Sequence, residues 1–303
     1  MSRDDASPLV TCDWLKEKIS KGDADNMVIL DVSWSSQKDC QREFDERHIP
    51  GARYLNVMTG PHTELFPRNL PSSEGLQEDA RAAGVNDDSH VIVYSDSDNC
   101  GFFMSGRAWW TLTMFGAKRV SILNGGLQRW TTLGFPTTSQ ATDVKVSHKQ
   151  TDMQTRPHTY TDALTHAYLY ARARPGNFTP RYQSQHRRPF EDAVKLVQSG
   201  SCILDSRASE KYSEGHLPGA KSIPYTMLID DVTKEMISAD DVRKALTDAG
   251  VDVSQPVTTY CNSGMSSSTL AFALHLCGAT DCGVFHGGFT EWKTKAADMI
   301  KKS

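Results

Sequence analysis

The sequence predicts an α/β protein built from two tandem domains, each a parallel sheet flanked by helices on both faces. Three observations predict this fold class. The chain has 303 residues, enough for two ordinary hydrophobic cores. One ordered set of short motifs occurs in each half of the chain. In both halves, short β-rich runs alternate with segments of helical periodicity, as in parallel sheets joined by helical crossovers.

The repeat consists of five motif pairs that occur in the same order in the two halves. The pairs are VILDV 28–32 with CILDS 202–206, HIPGA 48–52 with HLPGA 216–220, AGV 83–85 with AGV 249–251, FGA 115–117 with CGA 277–279, and NGGLQRW 124–130 with HGGFTEW 286–292. Tyr94 and Tyr260 follow the two AGV motifs at the same spacing. Because each copy is domain-sized, the repeat indicates a tandem duplication and not a solenoid.

The domain bounds follow from the repeat. We expect a first domain over 8–136, a linker over 137–187 and a second domain over 188–303. The linker begins polar and becomes basic in its second half, where it and the first residue of the second domain carry Arg156, Arg172, Arg174, Arg181, Arg187 and Arg188 against Asp152 and Asp162. It is interpreted as a connector docked on an acidic domain surface, with anion recognition as the alternative.

Six strands are predicted from the β-rich runs, and each Pro-Gly-Ala tract is expected to be a turn that enters a further short strand. The six runs are Val28–Asp31, Val91–Tyr94, Val120–Leu123, Ile203–Asp205, Val257–Tyr260 and Gly283–Phe285. The glycine pairs Gly125–Gly126 and Gly287–Gly288 follow a strand and open the last helix of each copy.

Composition excludes several classes of function. Lys and Arg number 33 against 37 Asp and Glu, a net charge of -4, so no basic field attracts nucleic acid or anionic membrane. No apolar run approaches the length of a membrane span, and the N-terminal residues lack a signal pattern, so a cytoplasmic protein is expected, with mitochondria as the less favoured compartment. The seven cysteines are odd in number and form no CxxC pair, which argues against a disulfide framework and a zinc site.

The two copies differ most after the strand that carries the shared tyrosine. The second copy continues Cys261-Asn262-Ser263-Gly264-Met265-Ser266, whereas the first begins with Ser95 and is four residues longer. Cys261 therefore lies at the carboxyl end of a parallel strand, just before a helix. Backbone N–H groups of this loop and the helix dipole can form an anion cradle that stabilises a thiolate. Cys261 is the predicted nucleophile. Cys100, in the longer loop, is the alternative second thiol.

This pattern resembles the rhodanese superfamily, specifically the tandem-domain thiosulfate and 3-mercaptopyruvate sulfurtransferases. The resemblance covers nearly the whole chain apart from the basic linker. It implies that the Cys261 thiolate takes a sulfane sulfur from a small-molecule donor and becomes a persulfide. The sulfur then passes to cyanide or to a thiol acceptor, such as a small thiol or a thioredoxin-like protein. The resemblance implies no metal or organic cofactor. The alternative is a non-catalytic or regulatory tandem module that only binds or senses sulfur species.

The loop bears on the choice of donor and on one rival reaction. In the thiosulfate enzymes of the family, the loop resembles Cys-Arg-Lys-Gly at the positions that begin with the cysteine. In the mercaptopyruvate enzymes, the same positions resemble Cys-Gly-Ser-Gly. Because Asn262 is neutral and Ser263 retains the serine, the loop favours 3-mercaptopyruvate, with Ser263 polarising the donor or leaving group. Related cysteine phosphatases need an arginine at the sixth position after the cysteine to hold phosphate in a bidentate way. That position is Ser267, which disfavours a phosphatase.

The chain departs from the mercaptopyruvate pattern in the residues that would bind the donor. By position, Lys211 replaces the first of two carboxylate-binding arginines of the family, and the second is missing. In the family, an Asp and a His of the first domain assist the serine. Their positions correspond in this sequence to the neighbourhood of Met58 and of Arg68–Asn69, and His62 lies nearby. Cys261 and Ser263 are the expected catalytic residues. The expected substrate-binding residues come from the loop and from the segment after the strand that ends at Asp205: Asn262, Gly264, Met265, Ser266, Lys211 and Arg207.

Overall fold

The structure is a computed structural model that describes residues 7–22, 26–96, 102–140 and 175–303. It contains two five-stranded sheets in which every strand pairing is parallel. The predicted fold class is confirmed. Among the described residues, no helix is long and apolar enough to cross a bilayer.

The first sheet has the strand order β1-β5-β4-β2-β3. Its elements in chain order are β1 Leu9–Val10, α1 Cys12–Lys21, β2 Met27–Asp31, α2 Cys40–Glu46, β3 Ala52–Tyr54, α3 Ser73–Ala82, β4 His90–Tyr94, α4 Phe102–Met114, β5 Arg119–Leu123 and α5 Gly126–Thr132.

The second sheet repeats this topology with the order β6-β10-β9-β7-β8. Its elements are β6 Arg187–Arg188, α6 Phe190–Gln198, β7 Cys202–Asp205, α7 Ser209–Glu214, β8 Lys221–Ser222, α8 Ala239–Asp248, β9 Val257–Tyr260, α9 Ser266–Leu276, β10 Cys282–Phe285 and α10 Gly288–Lys295. Short 3-10 helices occur at Ser184–His186, Tyr225–Leu228 and Ala297–Met299.

All six strands predicted from β-rich runs are present. As expected, each Pro-Gly-Ala tract leads into a short strand: β3 begins at the alanine of the first tract, and β8 begins directly after the second. The edge strands β1 and β6 were not predicted. Each has only two residues, too few for a periodicity to register in the sequence.

The described part of the linker packs along the first domain. The backbone N–H groups of Gly176, Phe178 and Arg181 donate to carbonyls of that domain at 2.8, 3.1 and 2.8 Å, and the Phe178 side chain is buried. This placement agrees with a docked connector. The remaining basic residues of the linker, Arg156, Arg172 and Arg174, lie outside the described residues.

The repeated tyrosines explain one reason for the shared motifs. The Tyr94 hydroxyl accepts a hydrogen bond from the backbone N–H of Ile49 at 3.3 Å, and the Tyr260 hydroxyl accepts one from Leu217 at 3.1 Å. Each tyrosine thus fixes the turn that precedes the Pro-Gly-Ala tract of its own domain. These residues serve the fold in both copies.

The two domains meet through α4 and α9, which occupy equivalent positions in the repeat. Their backbones approach so closely that a Cβ atom on Gly106 would lie 2.8 Å from Cα of Thr269. Thr269 Oγ1 donates to the carbonyl of Phe102 at 2.8 Å, and Trp109 packs edge-on against Phe272 with ring centroids 5.1 Å apart. The contact is therefore tight enough to hold side chains of the first domain against the second.

A buried aspartate at the end of the second strand of each sheet has a different environment in the two copies. Asp205 is paired with Arg207, which donates to it from Nε and from Nη2 at 2.6 Å. Asp31 is buried where the first domain has Ser33 in place of the arginine, and it accepts from the Ser33 N–H at 2.9 Å. Burial raises the pKa of Asp31 to about 6.

This difference predicts opposite effects of the same substitution. Because the folded-state pKa of Asp31 is raised above that of the unfolded chain, folding binds a proton, and stability from this group falls as pH rises from about 4 to 6. We expect Asp31→Asn to remove that decline and to gain on the order of 1–3 kcal/mol at pH 7. Asp205→Asn should instead lose stability, because it removes the charged partner of buried Arg207. Urea unfolding at pH 5 and pH 7 measures both, and a loss of stability in Asp31→Asn at pH 7 would contradict the expectation.

Candidate active site

Cys261 follows β9 directly, and its side chain is recessed. The residue is 4% exposed. Its Sγ accepts hydrogen bonds from the backbone N–H of Met265 at 3.1 Å and from Oγ of Ser267 at 3.4 Å. Both donors stabilise a negative charge on sulfur, since each points a partial positive charge at it. Ser267, the position that argued against a phosphatase, thus contributes to the sulfur environment.

The N-terminus of α10 sets the orientation of the loop. The N–H groups of Phe289 and Thr290 donate to the carbonyls of Cys261 and Asn262 at 2.7 and 3.1 Å. Gly288 makes this contact possible, because it has φ +57° and a Cβ there would lie 2.3 Å from the Cys261 carbonyl oxygen. With these two carbonyls directed at α10, the loop is held in one conformation.

Gly264 admits two side chains to the base of the loop. It has φ +77°, and a Cβ at this position would lie 2.6 Å from Cδ2 of His286 and 2.9 Å from Nη1 of Arg107. The carbonyl of Gly264 accepts a hydrogen bond from Arg107 Nη1 at 3.1 Å. The glycine is therefore required both by its backbone conformation and by the close approach of a cation.

Arg107 comes from α4 of the first domain and is completely buried in the interface. Its Nη2 also donates to the carbonyls of Arg68 and Asn69 at 3.0 and 3.4 Å, so one guanidinium joins the Cys261 loop to a first-domain segment. Burial is the main cause that lowers the pKa of Arg107 to about 9. The positive charges of Arg68 and Arg187 lower this pKa further, whereas the Cys261 sulfur raises it. At neutral pH the group remains a cation beside the thiol.

Arg68 reaches the loop from the first domain. Its Nη1 donates to Oγ of Ser263 at 3.4 Å, across 195 positions of the chain. Because the serine oxygen accepts from a guanidinium, its own proton is free to be donated to a bound molecule. In the first-domain region expected to assist the serine, the residue that contacts Ser263 is an arginine and not a histidine. Met58 is buried in the core, and His62 stacks on Trp34.

His286 completes the base of the site as a neutral imidazole. Burial, followed by the charge of Arg107, holds the pKa of His286 well below its usual range. Its Nε2 lies 3.0 Å from the Arg68 carbonyl and 3.3 Å from Arg107 Nη2, and its ring stacks on Phe66 at 5.8 Å. It positions the Arg68 segment and carries no charge of its own.

The predicted loop residues are brought together, with different accessibilities. Ser263, Gly264, Met265 and Ser266 are buried, and Asn262 is the exposed member. Ser266 Oγ lies 2.9 Å from Oγ of Ser206 at the end of β7, which ties the loop to the neighbouring strand.

The two predicted carboxylate contacts of the second domain already have acidic partners. Arg207 is bonded to Asp205 and to the Gly215 carbonyl, and its guanidinium lies 4.1 Å from the ring centroid of Phe289. Lys211 is exposed and donates to both carboxylate oxygens of Glu214 at 2.8 Å. Their role in donor binding stays a prediction.

The other described cysteines are free thiols. Burial raises the pKa of Cys40 to about 11 and that of Cys12 and Cys282 to about 12. The pKa values of Cys202 and Cys277 are raised for the same reason. These thiols stay protonated at neutral pH. Cys100 lies outside the described residues.

Arg107 and His286 were missed in the sequence, although a signal for both was present. With the FGA and CGA motifs superposed, Arg107 falls opposite Thr269 and His286 falls opposite Asn124. Both are positions at which the two copies differ, which is the criterion that identified Cys261. Arg107 also stands out as a charge in an otherwise apolar helix.

A recessed thiol in a six-residue loop at the end of a parallel strand, within one of two duplicated α/β domains, defines a rhodanese-type site. The family model for the rhodanese-like domain matches residues 11–133 and 190–295. The chain belongs to this family.

Curated relatives of the chain are sulfurtransferases. It is 29% identical to thiosulfate sulfurtransferase of Gallus gallus over 97% of this chain and 96% of that protein. It is 28% identical to 3-mercaptopyruvate sulfurtransferase of Homo sapiens, over 95% of this chain and 92% of the relative. Among solved structures, SseA from Escherichia coli, described as a 3-mercaptopyruvate sulfotransferase, has a TM-score of 0.75 at 24% identity, covering 94% of this chain and 99% of SseA. The structural likeness supports the fold.

Proposed function

We propose that the protein is a sulfurtransferase that carries sulfane sulfur on Cys261 as a persulfide. The observation that carries this proposal is the environment of the Cys261 sulfur. Two hydrogen-bond donors of its own loop contact Sγ, and the buried guanidinium of Arg107 is bonded to the same loop. A sulfur that alternates between thiolate and persulfide anion needs such fixed positive potential.

The first half-reaction forms a sulfur–sulfur bond. The Cys261 thiolate attacks the outer sulfur of thiosulfate, the bond between the two sulfurs of the donor breaks, and its electron pair leaves with sulfite. With 3-mercaptopyruvate, the bond between sulfur and carbon breaks, and the electron pair goes to an enolate of pyruvate. That enolate takes the proton originally carried by the donor thiol. Both routes leave Cys261 as a persulfide anion.

Ser263 is the second catalytic residue of the proposal. Because its oxygen accepts from Arg68, its hydroxyl proton can polarise the oxygen that develops negative charge on the leaving group. In the second half-reaction, an acceptor thiolate or cyanide attacks the outer sulfur of the persulfide, and Cys261 is released as a thiolate. Small thiols and thioredoxin-like proteins are the acceptors we propose.

Mass spectrometry of Cys261 after exposure to each donor tests the function. We expect a mass increase of one sulfur atom on the Cys261 peptide with either donor, and its loss on addition of a thiol acceptor. An unmodified Cys261 after both donors would contradict the sulfurtransferase and favour a non-catalytic module.

Donor preference is a separate prediction. The catalytic loop carries no cation of its own, so thiosulfate lacks two charge-assisted contacts within it, each worth about 1.5–3 kcal/mol. The single carboxylate of 3-mercaptopyruvate needs only one cation. We expect a higher kcat/KM with 3-mercaptopyruvate than with thiosulfate in steady-state assays. If Lys211 contributes a carboxylate contact, Lys211→Ala lowers the 3-mercaptopyruvate value selectively. A preference for thiosulfate would contradict the assignment of donor.

A further inference from the structure

We propose that Arg68 of the first domain binds the anionic group of the sulfur donor. The ligand chemistry is an oxyanion attached close to a transferable sulfur, as in the carboxylate of 3-mercaptopyruvate or the sulfonate of thiosulfate. The inference rests on the proposed function of Cys261 and adds the residue that would recognise the donor.

The first argument is geometric. Arg68 lies in the segment between β3 and α3, and its backbone carbonyl is held by Arg107 Nη2 at 3.0 Å and faces His286 Nε2 at 3.0 Å. With its backbone fixed by two buried side chains, the Arg68 side chain is directed at Ser263, two residues after the nucleophile. A molecule whose sulfur lies at Cys261 would place an attached oxyanion within reach of this guanidinium.

The second argument is the state of the Arg68 side chain. Among the described residues it has no carboxylate partner, and its Nε is buried without a hydrogen-bond acceptor. Elsewhere in the described chain, several arginines are paired with carboxylates: Arg47 with Asp96, Arg129 with Glu235, Arg181 with Asp87 and Arg188 with Asp281. A buried guanidinium nitrogen without a hydrogen-bond acceptor is costly. An oxyanion from the donor would remove that cost.

The third argument is the charge balance at the loop. Arg68 and Arg187 are each close enough to Arg107 for their charges to interact, and the Nε atoms of all three arginines are buried without a partner. The other titratable group that acts on Arg107 is the Cys261 thiol. The site therefore has an excess of positive charge that suits an anionic donor.

The candidate cations of the second domain are less suited to the same role. Arg207 is neutralised by Asp205 and Lys211 by Glu214, so a donor would have to compete with a carboxylate for either. Arg68 has no such competitor in the described structure. Its planar fork also matches a carboxylate or sulfonate with two parallel hydrogen bonds.

The charge can be tested at Cys261 without any sulfur donor. Iodoacetate and iodoacetamide alkylate the same thiol and differ in charge, so the ratio of their rates at the Cys261 peptide reports the local attraction for an anion. We expect Arg68→Gln to lower the iodoacetate-to-iodoacetamide ratio by about fivefold or more, and Arg68→Lys to retain most of it. Arg47→Gln removes a first-domain arginine that is paired with Asp96 and should leave the ratio unchanged. An unchanged ratio in Arg68→Gln would overturn the proposal.

Kinetics then connect the charge to the donor. We expect Arg68→Gln to raise KM about tenfold for 3-mercaptopyruvate, for thiosulfate or for both, which identifies the oxyanion that the guanidinium binds. Normal KM values for both donors would overturn the assignment. If the wild-type protein forms no persulfide with either donor, the proposed function fails, whereas the alkylation ratio still decides whether Arg68 attracts anions to Cys261.

Discussion

Replacing Cys261 with serine is expected to abolish sulfur transfer from both donors, by about 10⁴-fold or more, while the fold is retained. A serine oxygen cannot form a persulfide, and it is far less nucleophilic than a thiolate at neutral pH. Serine fits the site because its oxygen can accept from the Met265 N–H and from Ser267 as the sulfur does. Steady-state assays and thermal unfolding of the variant measure the two effects.

Matched cysteine variants complete this test. Cys202→Ser changes a thiol on the neighbouring strand β7 whose pKa is raised by burial, and it should leave kcat unchanged. Cys100→Ser, in the longer loop of the first copy, should also matter little. Loss of activity in Cys100→Ser as severe as in Cys261→Ser would mean that the site has two essential thiols.

The second large effect is expected from Arg107, acting as a positioning residue. Arg107→Met removes the donor from the carbonyls of Gly264, Arg68 and Asn69, and it removes the buried cation beside Cys261. We expect a loss of about 2–3 kcal/mol in the free energy of unfolding, because buried carbonyls lose their partner. We also expect kcat to fall roughly 100-fold, as when one preorganised charge-stabilising donor is lost.

A structural role alone would not change the reactivity of the thiol, so alkylation separates the two roles. We expect iodoacetamide to react more slowly with Cys261 at pH 7 in Arg107→Met, and Arg107→Lys to restore part of the rate because it keeps the charge. Arg53 provides a matched control. It is an arginine of β3 that donates to the Ala83 carbonyl at 2.8 Å, and its pKa is lowered by burial. Arg53→Met should lose stability without slowing alkylation; equal alkylation rates in Arg107→Met and the wild type would contradict the role of Arg107.

Much of the fold could be predicted because the duplication presents each element twice. A short apolar run by itself is compatible with a strand or with a buried helix segment. Val28–Asp31 and Ile203–Asp205, however, occupy the same place among the same motifs in the two copies, which favours one structure for both. The position of Cys261 at the end of β9 also followed from the sequence, since strands and turns are local features. The two-residue edge strands β1 and β6 are held by pairing with β5 and β10, which no local pattern encodes.

The cationic half of the site could not be predicted in the same way. Whether Arg68 faces Ser263 depends on how two domains dock, and docking is set by the close packing of Gly106 against Thr269. Conversely, Lys211 appeared available in the sequence, yet Glu214 lies three residues later on the same short helix and pairs with it. Contacts within one helix and contacts between domains are thus the two kinds of contact that the sequence patterns did not show.

The sequence separations within the site also determine when it can form during folding. Ser263 and Arg68 are 195 positions apart, and Gly264 and Arg107 are 157 apart. Domains of a long chain generally fold as units, with the N-terminal one first during synthesis, and contacts of such high sequence separation form late. The second domain can therefore acquire its sheet and its thiol before Arg68 and Arg107 of the first domain reach the Cys261 loop. We therefore expect chemical competence only after the domains dock, and we expect a chain interrupted before docking to hold a Cys261 thiol without its two first-domain cations.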